Sequence, residues 1–143
     1  METAIPVRRF LAVLILWVSA TSAVADPPPV SAAHGLAAEG YDVVAFFEDR
    51  SAVKGDRSHA LMWRGAIWLF SSEKNRETFE MNPRAYAPRF GGYCALGIAR
   101  NKLVPGDPDT WEVVDDRLYL TANERVKAIW VEDLSGNITM AEA

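Results

Sequence analysis

The chain has 143 residues, of which 50% are hydrophobic, 10% aromatic and 24% charged, and its formal net charge is −4. This composition is typical of a small globular protein and excludes a disordered chain, a collagen-like chain and a disulfide-stapled miniprotein. The acidic balance and the lack of a basic run in the sequence argue against nucleic acid as a partner.

The N-terminus is predicted to be an export signal. Arg8 and Arg9 precede an apolar run of nine residues at 10–18, and small residues at 23–25 match a signal-peptidase site. We therefore expect cleavage after Ala25, which gives a periplasmic or secreted product. The run is shorter than the roughly 20 apolar residues of a transmembrane helix, so no stable membrane insertion is expected after cleavage. An uncleaved anchor or a buried helix is the alternative for this segment.

The signal peptide of residues 1–25 is followed by three parts. Residues 26–39 begin with DPPPVS and are predicted to be a Pro-rich leader or linker. Residues 40–134 are predicted to form one small α+β domain, in which two β-hairpins or an antiparallel sheet are packed by short helices. Residues 135–143 are predicted to be a C-terminal tail, either a short helix or frayed. Within the domain, the apolar run VVAFF at 43–47 predicts a strand.

Two hairpins are predicted from alternating apolar residues. The first covers residues 58–70 and turns at Arg64 and Gly65, because a two-residue loop with Gly suits the positive φ of a hairpin turn. Both faces of its second strand, 66–70, are apolar, which predicts a central strand covered on both sides. The second hairpin covers residues 111–120.

Capping residues predict where the longer helices begin. Ser71 or Ser72 is expected to cap a helix that runs to about Met81 and stops before Pro83. Another helix is expected to start at or next to Cys94. The pair Thr121 and Glu124 matches a capping box ahead of a further helix.

The aromatic residues are assigned mainly to the core. Phe79, Tyr86 and Phe90 are expected to pack as one cluster. The tryptophans on strands or apolar helical faces are also assigned to the core, with an aromatic-lined ligand pocket as the alternative; they are Trp63, Trp68, Trp111 and Trp130.

Catalytic motifs are absent from the sequence, so no catalytic residue is predicted and the chain is interpreted as a binding protein rather than an enzyme. Cys94 is the only cysteine and cannot form an internal disulfide. Its partner would be His34, in the leader region, or His59, on a predicted strand. A thiolate with an imidazole suits Cu(I) or Zn(II). Since two ligands do not close a tetrahedral zinc site, such a site would be exposed or completed by a partner.

Four short segments carry a family resemblance: GYDVVAFF (40–47), RGAIWLFSS (64–72), NPRAYAPRFGGYCA (82–95) and RLYL (117–120). In this order they resemble the YHS-domain family, and within it the small exported YHS-domain proteins of bacteria. The resemblance covers about residues 40–133, and its most specific part is 86–95.

The resemblance implies a small metal-binding module, because many YHS domains are thought to bind metals. In the metal-type members, cysteines occupy three positions that match Ala45, Ser71 and Asn75 here, so this sequence lacks that thiolate site. The exported members share GGYCA, which places Cys94 in their most distinctive segment. The strand position of His59 is also compatible with these relatives.

These observations predict an exported YHS-like binding module that holds a copper or zinc ion through Cys94 with His59 nearby. That requires the two side chains to lie within about 4 Å of each other. Two alternatives stay open. In one, the chain is a structural or protein-interaction domain for another exported protein, and Cys94 is buried for packing. In the other, it is a thiol-dependent redox protein, which needs an exposed Cys94 beside a cleft.

Overall fold

Short strands and helices of one to three turns alternate along the chain. The computed structural model describes residues 29–143, and the predicted signal peptide and its cleavage site lie outside the described residues. Within residues 29–143 the strands are β1 (Ala32–Ala33), β2 (Leu36–Ala37), β3 (Asp56–Trp63), β4 (Ala66–Phe70), β5 (Asp107–Val114) and β6 (Arg117–Thr121). The α-helices are α1 (Ala45–Glu48), α2 (Glu73–Met81), α3 (Pro83–Tyr86), α4 (Ala95–Ala99), α5 (Glu124–Glu132) and α6 (Leu134–Glu142). The predicted α+β class is confirmed.

The first sheet is mixed and has the strand order β1-β2-β4-β3, which places β4 in its interior. β3 and β4 form the antiparallel hairpin that the sequence predicts, and β2 pairs with β4 in parallel. Arg64 and Gly65 connect the two long strands with φ angles of 49° and 77°, the left-handed conformation of a two-residue hairpin loop. Because β4 has a strand on each edge and side chains that are almost all buried, its prediction as a covered central strand is confirmed.

The second sheet contains only β5 and β6 and confirms the second predicted hairpin. It turns at Asp115 and Asp116, which again have positive φ, of 49° and 57°. At the far end, Thr110 Oγ1 donates to the Thr121 carbonyl over 2.7 Å, and Thr121 Oγ1 donates to the Thr110 carbonyl over 2.9 Å. These reciprocal bonds close the end of the hairpin next to α5.

The predicted capping box at Thr121 is wrong. Thr121 belongs to β6, and its hydroxyl is already bonded across the hairpin. α5 is capped instead by Asn123, whose side chain accepts the N–H of Val126 over 3.0 Å. The cap predicted for α2 is confirmed at Ser72, which accepts the N–H of Asn75. Asn and Thr side chains are both good caps, and the cap lies two residues after the predicted one because β6 extends through Thr121.

The strand predicted over residues 43–47 is also wrong. Val43 and Val44 form a turn, and α1 begins at Ala45. The side chain of Asp42 accepts the N–H groups of Val44 and Ala45, which starts a helical turn instead of an extended strand. A short apolar run that is buried on every side fits a strand or a helix equally well, so the sequence pattern does not separate them.

Two hydrophobic cores hold the domain together. The first lies against the first sheet and contains the fully buried Trp68, Phe70 and Phe79. The second lies between β6 and the C-terminal helices and contains Tyr119 and Trp130, together with Cys94. Trp63 and Trp111 are partly buried against the first core, so all four tryptophans contribute to core packing.

The aromatic cluster predicted for Phe79, Tyr86 and Phe90 does not form. Phe79 stacks on Trp68, and their ring centroids are 5.0 Å apart. Tyr86 contacts Phe47 edge-on, and Phe90 lies 6.2 Å from the ring of Tyr119. Phe79 and Tyr86 therefore belong to the first core, and Phe90 packs against the second.

Both ends of the described chain pack on the domain. Val30 is buried, and the N–H of Ser31 donates to the Gly91 carbonyl over 2.8 Å. β1 and β2 therefore extend the first sheet from within the predicted leader. At the other end, the side-chain amide of Asn137 in α6 donates to the Trp130 carbonyl over 3.0 Å. None of the helices within residues 29–143 has the length and apolar character needed to cross a membrane.

Candidate functional site

Asp42 places a fully buried carboxylate at the turn before α1. Its Oδ1 accepts the backbone N–H groups of Val44 and Ala45 over 2.9 and 3.3 Å. Its Oδ2 accepts the N–H of Ser71 over 2.8 Å, the Ser71 hydroxyl over 2.7 Å and the Asn75 amide over 2.7 Å. The carboxylate is therefore held by uncharged donors on both oxygens.

These donors make the position of Asp42 unsuitable for a cation. N–H and O–H groups direct their positive ends at the carboxylate oxygens, whereas a bound cation needs lone pairs from several ligands. The hydrogen bonds also connect segments that are 29 and 33 residues apart in the sequence. Asp42 therefore joins the loop before α1 to the end of β4 and the first turn of α2.

The three positions at which the YHS resemblance expects thiols come together at Asp42. Ala45 donates its backbone N–H, Ser71 its N–H and hydroxyl, and Asn75 its side-chain amide, all to the same carboxylate. The resemblance alone implies only that these residues replace cysteines. The structure shows that they share one carboxylate as their acceptor, which Asp42 supplies.

Cys94 is buried in the second core, with 2% of its surface exposed. It is the N-cap of α4, and its Sγ accepts the N–H of Gly97 over 3.4 Å. Its backbone N–H donates to the Val104 carbonyl over 2.8 Å. The prediction of a helix that begins next to Cys94 is confirmed, and the thiol serves that helix as its capping acceptor.

A cavity of about 300 Å³ lies beside Cys94. Gly97, Val104 and Val126 contribute to its lining, together with the basic residues Arg100 and Lys102. Cys94 also belongs to the lining, although only 2% of its surface is exposed. The cavity lies between the loop after α4 and the start of α5.

His59 lies on β3 and is partly exposed. Its Nδ1 is 3.1 Å from the Oε2 of Glu73 at the start of α2. Arg76 bonds the other oxygen of Glu73 over 2.8 Å. The Arg76 guanidinium, and secondly the hydrogen bond from His59, lower the pKa of the Glu73 carboxyl below its ordinary value. His59 therefore belongs to a surface ion-pair network.

The structure gives Cys94 and His59 separate surroundings. The Cys94 sulfur accepts the N–H of Gly97, whereas the His59 ring contacts Glu73. The other histidine, His34, is exposed in the turn between β1 and β2. In the described part of the chain, no group of three or more His, Cys, Asp or Glu side chains is arranged to hold a metal ion. Metal binding by Cys94 and His59 stays a prediction.

A cleft of about 380 Å³ lies between the β3–β4 turn and the segment that follows α3. Three arginines line it, and within residues 29–143 it has no acidic lining residue. Arg64 comes from the turn, Arg84 from α3 and Arg89 from the segment after α3. The rings of Trp63 and Phe90 also belong to its lining. The cleft therefore combines positive charge with aromatic surface on a protein whose net charge is negative.

Comparisons with known proteins do not assign this chain to a family. No family model, no curated protein and no solved structure matches it. The function therefore has to be argued from the side chains and their geometry.

Sequence reasoning missed the long-range hydrogen bonds of Asp42 and the arginine cleft. Asp42 lies within the GYDVVAFF segment, but no local pattern indicates that its hydrogen-bond donors come from the end of β4 and from α2. Arg84 and Arg89 lie five residues apart in the NPRAYAPRFGG segment, and Arg64 lies twenty residues before Arg84. The only available signal was that the Pro and Gly residues of this segment predict turns, which can bring distant arginines to one surface.

Proposed function

We propose that the chain is an exported YHS-like binding module, which binds a small ligand or another exported protein and uses Cys94 for packing. The observation that carries this proposal is the position of Cys94, which is buried in the second core and caps α4. A nucleophilic thiol has to be accessible to its substrate, whereas only 2% of Cys94 is exposed.

The surroundings of Asp42 support the same function. A module of the metal-type YHS pattern would hold its ion with thiolates at the positions of Ala45, Ser71 and Asn75. Here those positions supply hydrogen-bond donors to a buried carboxylate, and donors stabilise the loop without a metal. A loop that is stabilised in this way supports a module that recognises its ligand through the surface of a stable domain.

Metal titration tests the proposal. Purified residues 26–143 would be titrated with Cu(I) and Zn(II) against a competing chelator, under reducing conditions. We expect the wild type and Cys94→Ser to bind both ions equally weakly. His59→Ala would be compared with His34→Ala, since His34 is an exposed histidine on another turn. One-to-one binding that is lost in Cys94→Ser and in His59→Ala, but kept in His34→Ala, would establish the soft-metal site and overturn the proposal.

Thiol labelling provides the second arm. Because only 2% of Cys94 is exposed, we expect a thiol reagent to modify the native protein slowly and the denatured protein rapidly. Equally fast modification of native and denatured protein would favour the thiol-dependent redox alternative. Both arms use the same purified chain, so a negative metal titration with slow labelling supports a packing role for Cys94.

A further inference from the structure

We propose that the arginine cleft binds an aromatic anion, a planar ring that carries a phosphate or a carboxylate. The cleft is defined by Arg64, Arg84 and Arg89 with the rings of Trp63 and Phe90. This inference rests on the proposed function, because it names the chemical class of ligand that the binding module takes. Its volume of about 380 Å³ lies within the range of small-molecule sites.

The charges in the cleft are not neutralised by the rest of the described chain. Within residues 29–143, Arg64 and Arg84 form no ion pair. Arg89 bonds Oε1 of Glu142 over 2.9 Å, but Arg117 bonds the same oxygen over 3.0 Å. One carboxylate is thus shared by two guanidinium groups. An excess of positive charge remains at the cleft and favours an oxyanion.

A buried atom of Arg89 also lacks an acceptor. The Nε of Arg89 is buried and has no hydrogen-bond partner among the described residues. Buried polar atoms are nearly always bonded, and an orphan donor costs free energy unless a ligand or water satisfies it. Arg89 therefore keeps hydrogen-bonding capacity that the described residues do not use.

The aromatic walls select for a ring on the anion. The guanidinium of Arg64 lies over the ring of Trp63, at 5.4 Å from its centroid. That of Arg89 lies 5.8 Å from the centroid of Phe90. Stacking uses the face of a guanidinium and leaves its N–H edge to bond an oxyanion. A flat ring attached to the oxyanion would pack beside the part of Trp63 that lines the cleft.

One wall of the cleft is fixed by a close approach of the backbone. Pro29 and Val30 line the cleft beside Gly91, and the N–H of Ser31 bonds the Gly91 carbonyl. Gly91 has a φ of 65°, and a Cβ there would lie 2.0 Å from the Pro29 carbonyl oxygen. Glycine at position 91 therefore lets the backbone of Pro29 and Val30 lie against this side of the cleft.

Calorimetric titration with four probes tests the inference, in buffer with a chelator so that metal ions play no part. The probes are phenyl phosphate, benzoate, inorganic phosphate and phenol. We expect phenyl phosphate to bind about tenfold more tightly than inorganic phosphate or phenol, since only it uses both the arginines and the rings. Benzoate shows whether a carboxylate serves as well as a phosphate. The affinity should fall as ionic strength rises.

Charge-removing variants locate the binding. Arg64→Gln and Arg84→Gln should each weaken binding of phenyl phosphate by about tenfold. Arg57→Gln removes an exposed arginine of β3 outside the cleft and should change the affinity less than about twofold. Equal losses in all three variants, equal binding of all probes, or no saturable binding of phenyl phosphate and benzoate would overturn the inference. Such a result would leave the metal titration and the labelling experiment unaffected, so the proposed function is judged separately.

Discussion

Asp42 and Cys94 both accept a backbone N–H at the start of a short helix, but the protein holds them in different ways. Asp42 accepts hydrogen bonds from Val44 and Ala45 beside it, and also from Ser71 and Asn75 on distant segments. The Cys94 sulfur accepts one bond, from Gly97 of its own helix. The first arrangement connects three parts of the fold, and the second stabilises one helix end.

The difference indicates how much each residue contributes to stability. Hydrogen bonds to a charged group are worth about 1.5–3 kcal/mol, and a thiol is a weak acceptor by comparison. Replacing Asp42 leaves two buried backbone donors, at Val44 and Ala45, and the part-buried donors of Ser71 and Asn75 without their acceptor. Replacing Cys94 affects one N–H and the packing of one sulfur. Burial alone therefore does not show which residue contributes more to stability. The number of its hydrogen-bond donors, and the segments from which they come, does.

The largest effect is expected for Asp42→Asn. The amide has nearly the same shape, but its NH₂ group would face N–H or O–H donors in either orientation. We expect the free energy of unfolding to fall by about 3 kcal/mol, measured by urea denaturation with tryptophan fluorescence. Asp49→Asn is the matched control, because Asp49 is exposed at the end of α1, and should cost less than about 0.5 kcal/mol. Equal losses in the two variants would contradict a structural role for the Asp42 network.

A smaller loss is expected for Asn75→Ala, which removes one donor and keeps the carboxylate. The hydrogen bond of 2.7 Å to Asp42 should be worth about 2 kcal/mol. Lys74→Ala, at the exposed neighbouring position of α2, is the control for a general effect on the helix. In an Asp42→Asn background, Asn75→Ala should cost about 1 kcal/mol less than in the wild type. Strict additivity of the two losses would show that the residues act independently.

Cys94→Ala should cost less again, about 1 kcal/mol, which is typical for the loss of an N-cap. Cys94→Ser should be closer to the wild type, because a serine hydroxyl is a better cap acceptor than a thiol. Thermal unfolding of the two variants side by side measures both. If Cys94→Ala destabilises as strongly as Asp42→Asn, the contrast between the two regions is lost and Cys94 has a larger role in the second core.

The hairpins could be predicted from the sequence because their signals are local. Gly65 follows Arg64 between two apolar runs, and the aspartates 115 and 116 separate another two. Each turn is specified by neighbouring residues, so no information about distant contacts is needed. The same holds for Ser72 as the cap of α2 and for a helix that begins next to Cys94.

The surroundings of Asp42 could not be predicted in this way. Its donors at Ser71 and Asn75 are 29 and 33 residues away, and only the packing of β4 and α2 brings them together. The run that follows Asp42 was predicted to be a strand because it is apolar and β-branched. The capping bonds that make it helical come from the Asp42 side chain, whose burial is a tertiary property.

The relative positions of the predicted site residues could not be derived from the sequence either. Sequence reasoning identified Cys94 and His59 by their chemistry, since thiol and imidazole are the soft ligands of the chain. Whether two such groups meet depends on the arrangement of elements, and the structure surrounds one with the second core and the other with Glu73 and α2. The arginines of the cleft were missed because their spacing along the chain is irregular.

The smallest effect is expected on the surface, where Glu73 provides a contrast to the buried Asp42. The pKa of Glu73 is lowered from its ordinary value of 4.5, mainly by Arg76 and secondly by His59. A carboxyl whose pKa is lower in the folded state adds stability above the unfolded value, and this is lost as pH falls from about 4.5 through the folded pKa. Arg76→Gln should raise the Glu73 pKa towards 4.5, and His59→Ala should raise it less, as measured by carboxyl NMR titration.

The changes in the Glu73 pKa that Arg76→Gln and His59→Ala cause should be smaller in high salt, because exposed ion pairs are screened. Between pH 4.5 and the folded pKa of Glu73, Arg76→Gln should also lose less stability on acidification than the wild type does, because Glu73 contributes little in that variant. The same salt should leave the loss in Asp42→Asn unchanged, since the donors of that carboxylate are uncharged and it is enclosed by protein. If the loss of stability in Asp42→Asn depends on salt, solvent reaches the Asp42 carboxylate. The buried Asp42 and the surface Glu73 would then differ only in how strongly they are screened.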